Sequence, residues 1–131
     1  MQVELVSAER RLWSGEAEMV IARTTEGEIG ILPGHAPLLG ELGSGAVRII
    51  EPTGSEVVAA IHGGFLSISG EGVSILADIA ELGADIDVSR AQRAAESARS
   101  AADSDDVEAQ AALARATTRL RVAELSGSRA H

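Results

Sequence analysis

The stretch Phe65-Leu66-Ser67-Ile68-Ser69-Gly70-Glu71-Gly72-Val73-Ser74-Ile75 decides the fold class. Apolar and polar residues alternate on both sides of Gly70-Glu71-Gly72. That period of two marks strands with one packed and one wet face, and a Gly-rich triplet between them marks a turn. Working outward, β-rich runs recur at residues 2–6, 18–22, 30–32, 47–51 and 56–61, beside 65–69 and 73–77. Ser14-Gly15, Glu26-Gly27, Pro33-Gly34 and Pro52-Thr53-Gly54 punctuate them. Short strands at this spacing predict an all-β sandwich or barrel.

The pattern stops near Gly83. Residues 1–84 hold 13 of the 14 Gly and all three Pro, whereas residues 85–131 hold 13 of the 23 Ala. Gly and Pro punctuate turns and Ala is the best helix former, so strands should give way to helices there. Asp87 stands where it can cap a first helix. Ala91, Ala94, Ala95, Ala98, Ala101 and Ala102 then recur at helical spacing. Asp103-Ser104-Asp105-Asp106 breaks the run and offers a cap and acidic charge to a second helix over residues 107–125. There Ala109, Ala112 or Leu113, Ala116, Leu120 and Ala123 share a side. Two helices joined by about four residues form an antiparallel hairpin. The predicted class is β + α: an N-terminal β-sandwich over residues 1–84, followed by a C-terminal antiparallel α-helical hairpin over residues 85–131. An Ala-on-Ala seam buries little area at about 25 cal/mol per Å², so the hairpin should be weakly held and able to open.

Composition excludes several function classes. All 11 basic residues are Arg, so lysine chemistry is absent, and there is no Cys for a thiol nucleophile, a disulfide or a thiolate metal site. His35, His62 and His131 are too far apart for a metal-binding helix motif. The net charge of −9, most of it within residues 1–84, argues against nucleic acid as a partner. No apolar run approaches the roughly 20 residues of a membrane span, and the first residues lack the apolar segment of a signal peptide. The expected location is therefore cytoplasmic, with any membrane attachment made through a partner. Trp13 and Phe65, the only large aromatics, are expected as core or interface anchors. Arg115, Arg119 and Arg121 read either as a solvated helix face or as contacts to an acidic partner.

The densest motif is Gly27-Glu28-Ile29-Gly30-Ile31-Leu32-Pro33-Gly34-His35-Ala36-Pro37-Leu38-Leu39. Its Gly and Pro residues describe a rigid loop with special backbone angles. His35 has no neighbouring acid or nucleophile in sequence, so it reads as a structural residue bonded to backbone or as part of a partner-contact loop. With this loop, the chain resembles the epsilon subunit family of the bacterial F-type ATP synthase. Val6-Ser7-Ala8-Glu9 with Trp13-Ser14-Gly15, His62-Gly63-Gly64-Phe65, Leu76-Ala77-Asp78, Ala80-Glu81 and Leu120-Arg121-Val122-Ala123-Glu124-Leu125 resemble further family segments in the family's order.

The resemblance implies a non-catalytic rotor subunit of the central stalk, coupling proton translocation to ATP synthesis. Its sandwich would dock on the gamma subunit and on the polar loops of the c-ring. Its hairpin would fold on the sandwich, or extend to the alpha/beta catalytic head and inhibit ATP hydrolysis. Glu28, Pro33, Gly34 and His35 would then form partner-contact surface. The implied place is peripheral, on the cytoplasmic face of the plasma membrane. Ile86-Asp87-Val88-Ser89-Arg90-Ala91 resembles the pattern of members that bind ATP. By that resemblance Glu81, Asp87, Arg90 and Ala91 would contact ATP as an optional regulatory ligand, with no cofactor required. The bland alternative is a capped hinge. A small ATP-sensing module acting outside a rotor is the other functional reading.

Overall fold

The computed structural model describes residues 1–101 and 106–127. Seven strands come first: β1 Gln2–Ser7, β2 Arg11–Glu16, β3 Met19–Thr24, β4 Gly27–Ile31, β5 Leu38–Ile50, β6 Glu56–Ser69 and β7 Gly72–Leu82. A short 3-10 turn, Gly83–Asp85, leads to α1 Val88–Ala101 and α2 Val107–Gly127. The strands form one sheet in the order β2-β1-β7-β6-β5-β3-β4, with β1 and β7 parallel. The hairpin predicted around Gly70-Glu71-Gly72 is β6–β7, with Ser69 paired to Gly72.

One sheet makes a sandwich because its long strands turn a corner together. Leu42 pairs with Gly64 and Ser44 with His62 across β5–β6; Gly64 pairs with Ala77 and His62 with Ile79 across β6–β7. Gly43, Gly63 and Asp78 form the row between these pairs, where side-chain alternation shifts by one residue. On β6, Ala59 and Ile61 face the core on one side of the row, and Leu66 and Ile68 on the other. On β5 the core residues are Leu42 and then Val47 and Ile49; on β7 they are Val73, Ile75 and Ala77, followed by partly buried Ala80 and Leu82. The pairing register stays constant through this row on both sides of β6, so no strand carries the extra residue of a β-bulge. The three neighbouring strands change facing together at this row, and the sheet closes over itself. Val3 and Leu5 of β1 therefore share a core with Val20 and Ala22 of β3 and Ile31 of β4, from the far end of the strand order. Gly64 sits at the bend with φ +132, where a Cβ would lie 2.2 Å from the Leu76 carbonyl oxygen.

The sequence reading divided one of these strands, shortened others and missed β2. Residues 56–61 and 65–69 belong to the single strand β6, running straight through His62-Gly63-Gly64. β5 extends well before residue 47, and Ser14-Gly15 lies inside β2 rather than at a turn. The apolar run at 57–61 is non-alternating because β6 is covered on both faces. Ala59 and Ile61 point into the sandwich, while Val58 and Ala60 form a second small core with Val122 of α2.

Asp87 caps α1, its Oδ1 accepting from the Arg90 amide at 3.0 Å, and Asp106 caps α2, accepting from the Ala109 amide at 3.1 Å. Asp103, Ser104, Asp105, Ala102 and His131 lie outside the described residues. On α1, Ala91, Ala95 and Ala98 are buried, but Ala94 is exposed, so the packed stripe is narrower than predicted. α1 packs on α2, and α2 packs on β5, β6 and the 3-10 turn. The hairpin thus meets the sandwich chiefly through α2. Val122, which the predicted α2 stripe left out, is fully buried at that contact.

Candidate functional site

Four elements meet at a polar joint between sheet and hairpin. β5 supplies Ser44, β6 His62, β7 Glu81, and α2 Thr118 and Arg119. Alternation past the corner puts Ser44, His62 and Glu81 on the outer face, where α2 lies. The Ser44 hydroxyl is 3.1 Å from His62 Nδ1 and 3.2 Å from Thr118 Oγ1. The Arg119 guanidinium donates to Glu81 Oε1 at 2.5 Å, and His62 Nε2 is 3.8 Å from the same oxygen without a hydrogen-bond partner.

His62 is 8% exposed. Burial pushes its pKa below the ordinary value, Arg119 and Arg115 add to that push, and Glu81 opposes it. The imidazole is therefore neutral at pH 7. Serine, histidine and acid follow here in the order of a hydrolytic triad. However, the hydroxyl is bonded under Thr118 and the carboxylate is held by Arg119. What the cluster does is tie α2 to three strands.

Of the four residues in the ATP-type pattern, Glu81 belongs to this joint, and Asp87 serves as the α1 cap. Arg90 stands exposed on the first turn of α1, while Ala91 is 3% exposed among packed side chains. Arg119, 38 residues from Glu81, was singled out in sequence only as a member of an ambiguous Arg group. Ser44, Thr118 and the polar role of His62 were missed. No local signal marks them, because Ser44 and Thr118 are 74 residues apart.

The 27–39 motif also divides. Gly27–Ile31 is strand β4, the loop proper covers residues 32–37, and β5 begins at Leu38. Gly34 takes φ +88 at the loop tip, the His35 amide donates to the Leu32 carbonyl at 3.1 Å, and His35 Nδ1 lies 2.7 Å from the Ala36 carbonyl. Leu32, Pro33, Gly34 and His35 stand beside the β6–β7 turn. Glu28 is placed differently: it pairs across strands with Arg23 and lines a groove beside α2.

Apolar surface remains uncovered among the described residues. Leu39, 72% exposed, and Leu32 flank the loop. On the same sheet face as Leu39, which pairs with Ser67, Phe65 pairs across strands with Leu76, and each is 51% exposed. Phe65 is therefore a surface residue, whereas Trp13 packs partly buried on the core. Among the described residues no cluster of His, Asp and Glu forms a metal site. No described helix is long and apolar enough to cross a membrane.

Residues 1–83 match the family described as "ATP synthase, Delta/Epsilon chain, beta-sandwich domain". The ATP synthase epsilon chain of Streptomyces griseus is 54% identical over 121 residues, covering 92% of this chain and 93% of that one. That of Rhodococcus jostii is 51% identical over 125 residues, covering 95% and 96%. Among solved structures, a chain of the Euglena gracilis mitochondrial ATP synthase, in an assembly of OSCP, F1 and c-ring, superposes with a TM-score of 0.71. It is 26% identical, and the match covers 98% of this chain and 80% of that chain. The chain belongs to the delta/epsilon family of the F-type ATP synthase, as a structural and regulatory subunit of the rotor stalk that is not itself catalytic.

Proposed function

We propose that the sandwich couples proton translocation to ATP synthesis by seating on the gamma subunit and on the polar loops of the c-ring. The hairpin regulates hydrolysis by leaving the sandwich for the alpha/beta head. The observation that carries this is the way the hairpin is attached. α2 is its main bridge to the sandwich, through one small apolar cluster around Val122 and one polar joint around His62. The main core consists of sandwich residues alone, so the hairpin can depart without opening it. Phe65 with Leu76, and the loop bearing Pro33, Gly34 and His35 beside Leu39, supply exposed surface of the kind that partners cover. The chain would work as a peripheral component at the cytoplasmic face of the plasma membrane.

The test is reconstitution. The full chain, and separately residues 1–86, are added to a catalytic head lacking this subunit. Both should bind, and only the full chain should slow ATP hydrolysis. Failure of both to bind a matched gamma subunit overturns the coupling role. Binding by both with no inhibition overturns the hairpin's regulatory role.

A regulatory ATP site at Glu81, Asp87, Arg90 and Ala91 is a second reading, favoured by the exposed Arg90 on the first turn of α1. A guanidinium there, beside the positive helix end, suits phosphate. Equal calorimetric heats of ATP binding for wild type and Arg90→Ala would reduce the motif to a hinge. Binding of ATP without binding of gamma by residues 1–84 would favour a sensor acting outside a rotor.

A further inference from the structure

We infer that the groove between α2 and the outer face of β3, β4 and β5 is a binding site for a small phosphate-bearing anion. The groove has a volume of about 680 Å³, within the range of pockets that hold small ligands. Its basic residues come from three elements: Arg23 of β3, Arg48 of β5 and Arg121 of α2. Cross-strand pairing sets Ile21 opposite Arg48 and Arg23 opposite Glu28, which puts both arginines on one face. Arg121 faces them from the helix.

The charges of Arg23 and Arg121 are not spent on an ion pair among the described residues. Arg48 is bound by the buried Glu56 carboxylate, which raises its pKa and keeps it cationic. The three arginines stand against Glu28, the carboxylate among the described lining residues, and Glu56, which holds Arg48, so one net positive charge remains in a chain of −9. Residue 45 supports the same reading. A Cβ on Gly45 would lie 2.9 Å from Arg23 Cβ and 3.0 Å from its Cδ. The missing side chain lets the Arg23 stem lie across β5 along the groove floor. Thr117 adds a hydroxyl, while Ile21 and Leu125 supply apolar wall for the body of a phosphate ester. Guanidinium forks suit phosphate oxygens, and a partly enclosed site strengthens the pairing.

Because Arg121 belongs to the hairpin and Arg23 to the sandwich, an anion held by both would bind the docked arrangement and stabilise it by linkage. None of the residues of the Arg90 pattern lines this groove, so the two sites are tested separately.

Pyrophosphate is the probe, titrated calorimetrically into the full chain. Wild type should bind. Arg23→Gln and Arg121→Gln should each weaken binding about tenfold or more, while Arg11→Gln, on the edge strand β2 and outside the groove, should leave it unchanged. Both groove residues are exposed, and circular dichroism confirms that each variant is folded. Hydrogen exchange of the α2 amides should slow with pyrophosphate in wild type and not in Arg121→Gln. Absence of wild-type binding at millimolar pyrophosphate, or binding that survives both groove substitutions, overturns the inference.

Discussion

His62 Nε2 lies 3.8 Å from Glu81 Oε1, yet that oxygen is already taken by Arg119 at 2.5 Å. One carboxylate therefore serves as the counter-charge for a guanidinium and, on protonation, for an imidazolium as well. Arg115 adds a further repelling charge. Thr118 and Ser44, the other polar groups at the ring, are neutral. The docked hairpin thus favours neutral His62, and its pKa lies below the ordinary value of about 6.5.

Release of the hairpin would hydrate the imidazole and return that pKa toward about 6.5. The released state then binds more protons in mildly acidic solution. Docking stability from this residue is full above about pH 6.5 and falls as pH drops through that value toward the lower docked pKa. Hydrogen exchange of α2 amides, read between about pH 7.5 and 5.5, should show docking weaken with acid. His62→Gln should flatten the profile. An unchanged pH dependence in that variant would assign the effect to other groups.

The Arg119–Glu81 pair is about two-thirds buried on both sides and joins α2 directly to β7. Exposed pairs contribute about 0–1 kcal/mol, and partial burial places this one near the upper end. Glu81→Gln and Arg119→Gln should each loosen docking, and a double-mutant cycle should return a coupling of about 1 kcal/mol. High salt should reduce it. A coupling of zero would leave Val122 and its neighbours as the main attachment.

Gly64 stands at the sheet's corner with φ +132 and the Leu76 carbonyl in the path of any Cβ. Gly64→Ala combines left-handed strain with a backbone clash and should cost about 2–4 kcal/mol of sandwich stability in urea unfolding. Gly34→Val retains the strain of φ +88, but nothing lies within 4 Å of its Cβ. Its cost should be nearer 1–2 kcal/mol, and the fold should persist. Equal losses in the two variants would contradict the account of the corner.

This corner marks the limit of what the sequence disclosed. Alternation at residues 65–69 and 73–75 was legible because each stretch lies on one side of the corner. Across Gly43, Gly63 and Asp78 the parity shifts, so a period-two reading breaks β6 and shortens β5 and β7. β2 was obscured by Ser14-Gly15, a turn signal overridden by pairing with β1. The boundary near Gly83 was visible as a change in composition because helix and strand draw on different residues. The joint at His62 was not, since its members are brought together only by the corner and by α2 lying across it.

Gly83 tests the detachable hairpin most directly. It is buried under the end of α2, where a Cβ would lie 1.8 Å from Ser126 Oγ and 2.8 Å from Ser126 Cβ. Serine is too short to swing clear, and the Val58 carbonyl oxygen, 3.3 Å away, closes the other side. Gly83→Ala should therefore lift the end of α2 from the sheet while leaving the main sandwich core intact. Val122→Ala removes buried methyl groups from the same contact and should weaken docking by about 2 kcal/mol. In both variants α2 amides should exchange faster, and trypsin should cut sooner at Arg115 and Arg121. The thermal midpoint of the sandwich should move by only a few degrees (a shift of about 4–8 °C corresponds to 1 kcal/mol in a domain of this size). Released hairpins on a reconstituted head should also change the inhibition of ATP hydrolysis relative to wild type. If the helices and sandwich instead unfold together, the hairpin is integral to the fold and cannot act as a moving element.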